Sequence, residues 1–324
     1  MQINVEAMNT ILSRILMYGA LLTSGLYLWQ CSQPSETEED TQEWKAGEVY
    51  KDENGWIEAR AGNVPIVISA PHGGTIEPED VPDRSCEGVT TVRDMNTTEL
   101  AFEMQQELMA GHDMQPFVIA AHIHRKKIDL NRDIEESTCG NAVMEETWHQ
   151  YHDYIEGALA AAIEEFGYAV FIDVHGHGHD KQRLELGYAL TKTEIRDAHL
   201  DENAAIELAS ESSFKNLMRM NNGLNLQDLL TGEFAFGTLM EAEDVPSVPS
   251  MDDPYPLQDD PYFNGGYNTR RYTSTYASFD YPEVFGWQIE ANYQGLRENL
   301  EGRKKFSKAF AKAINTYIEQ HVGN

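Results

Sequence analysis

Two apolar runs in this chain end in histidine. Val64–Ala70 reads VPIVISA and leads into Pro71-His72-Gly73-Gly74, and Ala169–Val174 reads AVFIDV and leads into His175-Gly176. A histidine that closes a buried strand stands where open α/β sheets bind ligands, beyond the carboxyl ends of the strands. The glycines that follow leave room for a ligand beside the backbone. One strand-end histidine is usually a hydrogen-bonded structural residue; two in the same context point to a shared metal. Catalytic zinc takes three protein ligands and a water, mixing histidine with carboxylate. The third ligand belongs near the start of the helix after His72, where RDMNTTEL offers Asp94 and Glu99. Asn96 is suited to cap that helix, which would give Glu99 a capping-box role. Asp94 has no such duty and is the preferred ligand, with Glu99 the alternative.

The residues around these histidines extend the pattern. Asp173, two positions before His175 and on the same strand face, is placed to accept the second ring N–H of a liganding histidine. His177 and His179 continue HGHGHD past the strand, and read as cavity wall, proton shuttle or solvated residues rather than ligands. In a chain this acidic, HRKKIDLNRD (124–133) and NTRRY (268–272) concentrate arginine. The guanidinium fork matches a carboxylate through two parallel hydrogen bonds. Arg132 and Arg270 are the preferred substrate-carboxylate partners, with Arg125 and Asn131 in the same first block; Arg271 and Lys126 suit surface ion pairs. Gly265 and Gly266 would let backbone amides approach an anion.

These residues need a scaffold of alternating elements. Leu100, Met104 and Leu108 recur at helical spacing before Gly111. Phe117–Ala121 reads as a short buried strand. Trp148, Tyr151, Ile155, Leu159, Ala162 and Phe166 form a helical stripe closed by Gly167, and Phe306, Phe310, Ile314 and Ile318 form another. Apolar strands alternating with helices predict an α/β fold: an open, largely parallel twisted sheet with helices on both faces. Met251–Pro261 is acidic and proline-rich, and reads as a loop at a rim.

The 324 residues carry 24 Lys and Arg against 54 Asp and Glu, a formal net charge of −30. Such a charge repels phosphates, and argues against nucleic acid and anionic membrane surfaces as partners. The amino-terminal segment differs in kind. Arg14 precedes the uncharged Ile15–Trp29, which suits an export signal or anchor better than a spanning helix. Cys31, with Leu28 three residues before it, resembles a bacterial lipoprotein attachment cysteine, although Gln30 stands where Gly, Ala or Ser is usual. The expected organisation is a signal or anchor over 1–30, an acidic tether over 31–45 and one catalytic domain over 46–324. The protein is then exported, periplasmic or membrane-anchored, touching the membrane only through its amino-terminal segment. Cys86 and Cys139 are free to pair in an oxidising compartment.

Taken in order, SAPHGG, RDMNTTELA, HRKKIDLNRD, FIDVHG, FNGGYNTRRY and WQIEANYQ resemble the N-formylglutamate amidohydrolase family over about residues 60–300. The resemblance implies a carboxypeptidase-like (phosphorylase/hydrolase-like) fold and one zinc ion per chain, with His72, Asp94 and His175 as its ligands. It matches Glu290 to a late QxE-xN motif, on a strand face shared with Gln288. A buried carboxylate there can take a proton from water and deliver it to a leaving amine. The histidine-x-x-glutamate pair of carboxypeptidases is absent, because Thr75 occupies the glutamate's place. The expected activity is cleavage of the acyl-amide bond of an N-acyl amino acid bearing a carboxylate, such as N-formylglutamate. The alternatives are an exported zinc amidase acting on cell-wall peptides or other acyl-peptides, and a non-catalytic surface binding protein of the same fold.

Overall fold

Residues 44–322, apart from 113 and 277, are described by a computed structural model. The expected signal over 1–30, Cys31 and nearly all of the 31–45 tether lie outside the described residues. In chain order the elements are β1 (Val49–Lys51), β2 (Ile57–Arg60), β3 (Ile66–Ala70), α1 (Thr97–His112), β4 (Phe117–Ala121), α2 (Ile134–Thr138), α3 (Ala142–Phe166), β5 (Ala169–His177) and β6 (Leu184–Gly187). There follow α4 (Lys192–Leu200), α5 (Glu202–Leu208), α6 (Lys215–Met220), α7 (Leu226–Thr231), α8 (Phe236–Glu241), β7 (Ser247–Val248), α9 (Tyr267–Tyr272), β8 (Val284–Asn292) and α10 (Leu300–His321).

The strands form one open sheet in the order β1-β2-β4-β3-β5-β8-β6-β7. The two histidine-terminated runs, β3 and β5, are adjacent and parallel, and β4 and β8 continue the parallel centre on either side. The expected open α/β sheet is present, with antiparallel joins toward its edges: β1–β2, β2–β4 and β6–β8. Short links explain two of these antiparallel joins. Only residues 52–56 join β1 to β2 and only 178–183 join β5 to β6, too few for the crossover that a parallel neighbour requires.

Alternation along the central strands assigns their faces. Ile66 and Ile68, Val170, Ile172 and Val174, and Phe285, Trp287 and Ile289 pack with Leu100, Met104 and Leu108 of α1 and Phe306, Phe310 and Ile314 of α10. Val67, Phe117, Ala169 and Phe171 point the other way, into Trp148, Tyr151, Ile155 and Leu159 of α3. Both faces are covered, as continuous apolar strands demand. Asn141 caps α3 by accepting the N–H groups of Val143 and Met144, and Gly167 ends it at φ 79°, a conformation glycine adopts without steric cost. The start of α1 departs from the expected capping box. Asn96 has φ 65° and spends its side-chain amide on the carbonyl of Arg297, at 2.8 Å, while Glu99 points to solvent.

Cys86 and Cys139 form a disulfide with their Cα atoms 5.6 Å apart. It ties the loop before α1 to the end of α2 across 53 residues of chain. Closing a loop of that length restrains the unfolded chain, so Cys86→Ser is expected to lower unfolding free energy by about 2–4 kcal/mol in a urea titration.

Candidate metal centre

The centre lies at the carboxyl ends of β3, β5 and β8, where the chain leaves β3 and β5 in different directions. On the α3 face the side chains turn from apolar to polar as the strands end. Ser69, Asp173 and Gln288 form one rung, and His175 and Glu290 pair directly on a later rung. His72 follows β3 immediately. Its carbonyl accepts the N–H of Asp94 at 3.0 Å, which fixes the segment before α1 beside it. Gly73 permits this approach, because a Cβ there would lie 2.3 Å from Thr98 Oγ1.

His72, Asp94 and His175 converge, each offering a ligand atom within 4.8 Å of the others. Asp94 Oδ2 lies 3.4 Å from His72 Nδ1 and 3.2 Å from His175 Nδ1. Both rings turn Nε2 backward onto buried carboxylates: His72 donates to Asp129 Oδ1 at 2.6 Å, and His175 to Asp173 Oδ2 at 2.9 Å. Those bonds place the ring proton on Nε2 and leave the Nδ1 lone pairs facing the Asp94 oxygen. Three acceptor atoms turned on one another repel unless a proton or a cation lies among them. The same field raises the pKa of His175: burial works against its charge, but Asp173 and Asp94 outweigh it. Burial works to raise the pKa of Asp94, yet hydrogen bonds to His175 and His72 hold it below the ordinary carboxylate range. Of the two acids open in the sequence, the structure brings Asp94 to the histidines and leaves Glu99 exposed.

Glu290 stands next to His175 on β8, 5% exposed. Its Oε1 accepts from Gln288 Nε2 at 2.8 Å, while the buried Oε2 has no hydrogen-bond partner among the described residues. Burial pushes its pKa up, with the His175 charge opposing and the Asp94 and Glu185 charges adding to the rise. These groups line a cavity of about 240 Å³ that also meets Arg125, Asn131, Arg132, Phe263, Gly266 and Gln288.

The cationic candidates separate. Arg125 reaches the cavity but commits two nitrogens to Asp129, at 3.0 and 2.9 Å. Arg132 reaches it with a side chain 39% exposed, held by the carbonyl of Asn131 at 2.8 Å and by Glu136 at 3.5 Å. Arg270 is on α9 and does not line the cavity, while Arg271 pairs with Glu156 at 2.6 Å. Asn131 braces the wall: its Nδ2 lies 3.2 Å from His175 Nε2, and its Oδ1 accepts the N–H of Asn268 at 2.8 Å. The N–H of Gly266 is taken by Gln288 Oε1 at 2.6 Å, so it is not a free donor for an anion. The Met251–Pro261 loop is held by Arg183, which contacts Asp253 at 2.5 Å and Asp260 at 2.9 Å, and leads into the cavity wall at Phe263.

Two supporting residues escape sequence reasoning. Asp129 sits in HRKKIDLNRD, where the cations draw attention, yet it is the carboxylate behind His72. Arg297 is buried and donates to the carbonyls of Ala291 at 2.7 Å, His177 at 2.8 Å and Met95. It joins the ends of β5 and β8 to the Asp94 segment, and Gly176 is needed there because a Cβ would lie 2.2 Å from the guanidinium carbon.

Fold and centre together define an α/β protein with an open mixed sheet and a histidine–carboxylate cluster at its strand ends. No family model matches the chain, and no curated protein matches it. Solved structures do resemble it. N-formylglutamate amidohydrolase from Ralstonia eutropha JMP134 has 13% identity and a TM-score of 0.45, over 81% of this chain and 95% of that one. A metallo-carboxypeptidase from Burkholderia cenocepacia has 12% identity and a TM-score of 0.35, over 81% of this chain and 61% of its own. The N-acetylmuramyl-L-alanine amidase Ami1 from Mycobacterium abscessus has 12% identity and a TM-score of 0.31, over 78% and 98%.

Proposed function

We propose that this protein is a metal-dependent amidohydrolase that cleaves the acyl-amide bond of a small N-acyl amino acid, N-formylglutamate being the model substrate. The observation that carries this reading is the convergence of His72 Nδ1, His175 Nδ1 and Asp94 Oδ2, with each ring's other nitrogen held by a buried carboxylate. Two imidazoles and one carboxylate form a catalytic zinc donor set that leaves a position for water or substrate. Zinc held there would supply Lewis acidity and a water acidic near neutral pH. Glu290 would take a proton at Oε2, which has no hydrogen-bond partner among the described residues, and return it to the leaving nitrogen. Arg132 holds a substrate carboxylate, so binding remote from the scissile bond offsets the cost of orienting it. The cavity is smaller than the roughly 300–1,000 Å³ of drug-sized sites, which favours a small acyl amino acid over a long peptide.

The test is metal analysis of the full chain with a hydrolysis screen of N-acyl amino acids. Release of the free amino acid from an N-acyl glutamate or aspartate, abolished by chelation and restored by zinc, is the expected result. A chain that holds zinc but hydrolyses none of them would remove the reading. Arg132→Lys is expected to raise KM about 10-fold with a smaller change in kcat, because a point charge replaces a planar fork. Asp173→Asn is expected to weaken zinc affinity about 10–100-fold, measured by competition with a chelating dye.

A second reading keeps the chemistry and changes the substrate to a cell-wall peptide. The Cys86–Cys139 disulfide favours it, since such bonds persist in oxidising, extracytoplasmic compartments. With the signal expected over 1–30, it supports a location outside the cytoplasm. Among the described residues, no helix is long and apolar enough to cross a membrane. Peptidoglycan fragments in the same screen separate the two substrates.

A further inference from the structure

A second histidine–carboxylate cluster adjoins the first. His177 ends β5, His179 follows it in the short link, and Glu185 stands on β6; one donor atom from each lies within 4.8 Å of the others. His177 and Glu185 are buried, at 3% and 1% exposure. The side chain of His179 is 20% exposed, which gives the cluster an opening. His177 Nε2 donates to the carbonyl of Arg183 at 2.8 Å, and its Nδ1 accepts the N–H of His179 at 3.1 Å. The carbonyl fixes the ring with its lone pair on Nδ1, where an ion would take the place of the His179 N–H. His179 Nδ1 lies 2.8 Å from Glu185 Oε1, and Glu185 Oε2 accepts the N–H of Phe263 at 3.1 Å.

Charge adds an independent argument. Glu185 is paired with Glu290 across the β6–β8 ladder, so two buried carboxylates stand side by side. Among the described residues the only ion-pair partner of Glu185 is His179. Buried like charges are costly, and a divalent cation on Glu185 offsets that cost. We propose that His177, His179 and Glu185 form a second site for a first-row divalent ion such as zinc, separate from His72, Asp94 and His175. The residue types suit zinc: two neutral imidazoles and one carboxylate. An ion there ties the β5–β6 link to β6. It also steadies the cavity wall, because Phe263 stacks on His179 with ring centroids 5.1 Å apart.

The full chain, stripped with chelator and dialysed against zinc, is analysed by mass spectrometry for metal per chain. Two zinc ions are expected in the unaltered chain, and one in each of His179→Ala, Glu185→Gln and His72→Ala. The part-exposed His179 and the isosteric Glu185→Gln guard against loss of fold. Zinc content in His179→Ala and Glu185→Gln equal to that of the unaltered chain overturns the second site. If the unaltered chain holds a single zinc, its loss in His179→Ala and retention in His72→Ala would uphold this site and remove the proposed function. The opposite pattern would do the reverse.

Discussion

Glu290→Gln is expected to lower turnover about 10²–10⁴-fold while zinc content stays unchanged, the range spanned by positioned acid–base groups. The substitution conserves shape. The new side chain keeps an oxygen to accept from Gln288 Nε2, at the place where Oε1 now does so at 2.8 Å. What it loses is the basic Oε2, the one carboxylate oxygen of this group left without a hydrogen-bond partner among the described residues. It also removes a charge that Asp94 and Glu185 oppose, so melting temperature should stay level or rise. The decisive comparison is kcat at saturating substrate, with metal measured on the same sample. Full turnover in this variant would take Glu290 out of the mechanism, whatever its place beside His175.

His72→Ala is expected to abolish hydrolysis by losing the ion at the His72–Asp94–His175 centre. Two donors, one of them a carboxylate already bonded to Gly176 N–H at 3.3 Å, make a poor site for a tetrahedral ion. The fold should survive, because Asp129 Oδ2 keeps two Arg125 nitrogens, at 3.0 and 2.9 Å, after the imidazole is gone. His175→Ala would be harsher to stability, since Asp173 would retain only the Ser69 hydroxyl at 2.5 Å and β5 is central in the sheet. Zinc binding at this centre should also weaken on acidification, because Nδ1 must give up any proton before it can hold a metal. Isothermal titration of stripped protein at several pH values measures both effects. An unchanged zinc affinity in His72→Ala would dismantle the centre.

The central architecture is readable in the chain because local pattern and tertiary role agree there. IVISA and AVFIDV are apolar on both faces, as strands covered on both sides must be, and each runs straight into its histidine. Asp94 is readable because no local duty accounts for it. What resists reading depends on distant partners. Asp129 looks like one acid in a basic block until β4 runs beside β3 and brings it behind His72. Arg132 and Arg270 look equivalent in sequence, yet only Arg132 lines the cavity. Strands β6 and β7 are too short for periodicity to show, and the antiparallel join of β6 to β8 follows from a six-residue link. His177 and His179 look like a solvated glycine-rich tail until β6 brings Glu185 against them.

The position of β8 has a consequence for how the molecule comes into being. Among the described residues it comes last of the strands in chain order, yet it lies in the middle of the sheet, between β5 and β6. Until residues 284–292 are delivered, β5 has an open apolar edge and the β6–β7 pair has nothing to join. A chain arranged this way cannot fold vectorially from its amino terminus. It must wait for residues 284–292, and then close contacts between segments about a hundred residues apart. Late completion of this kind leaves an interval in which an unpaired sheet edge invites aggregation.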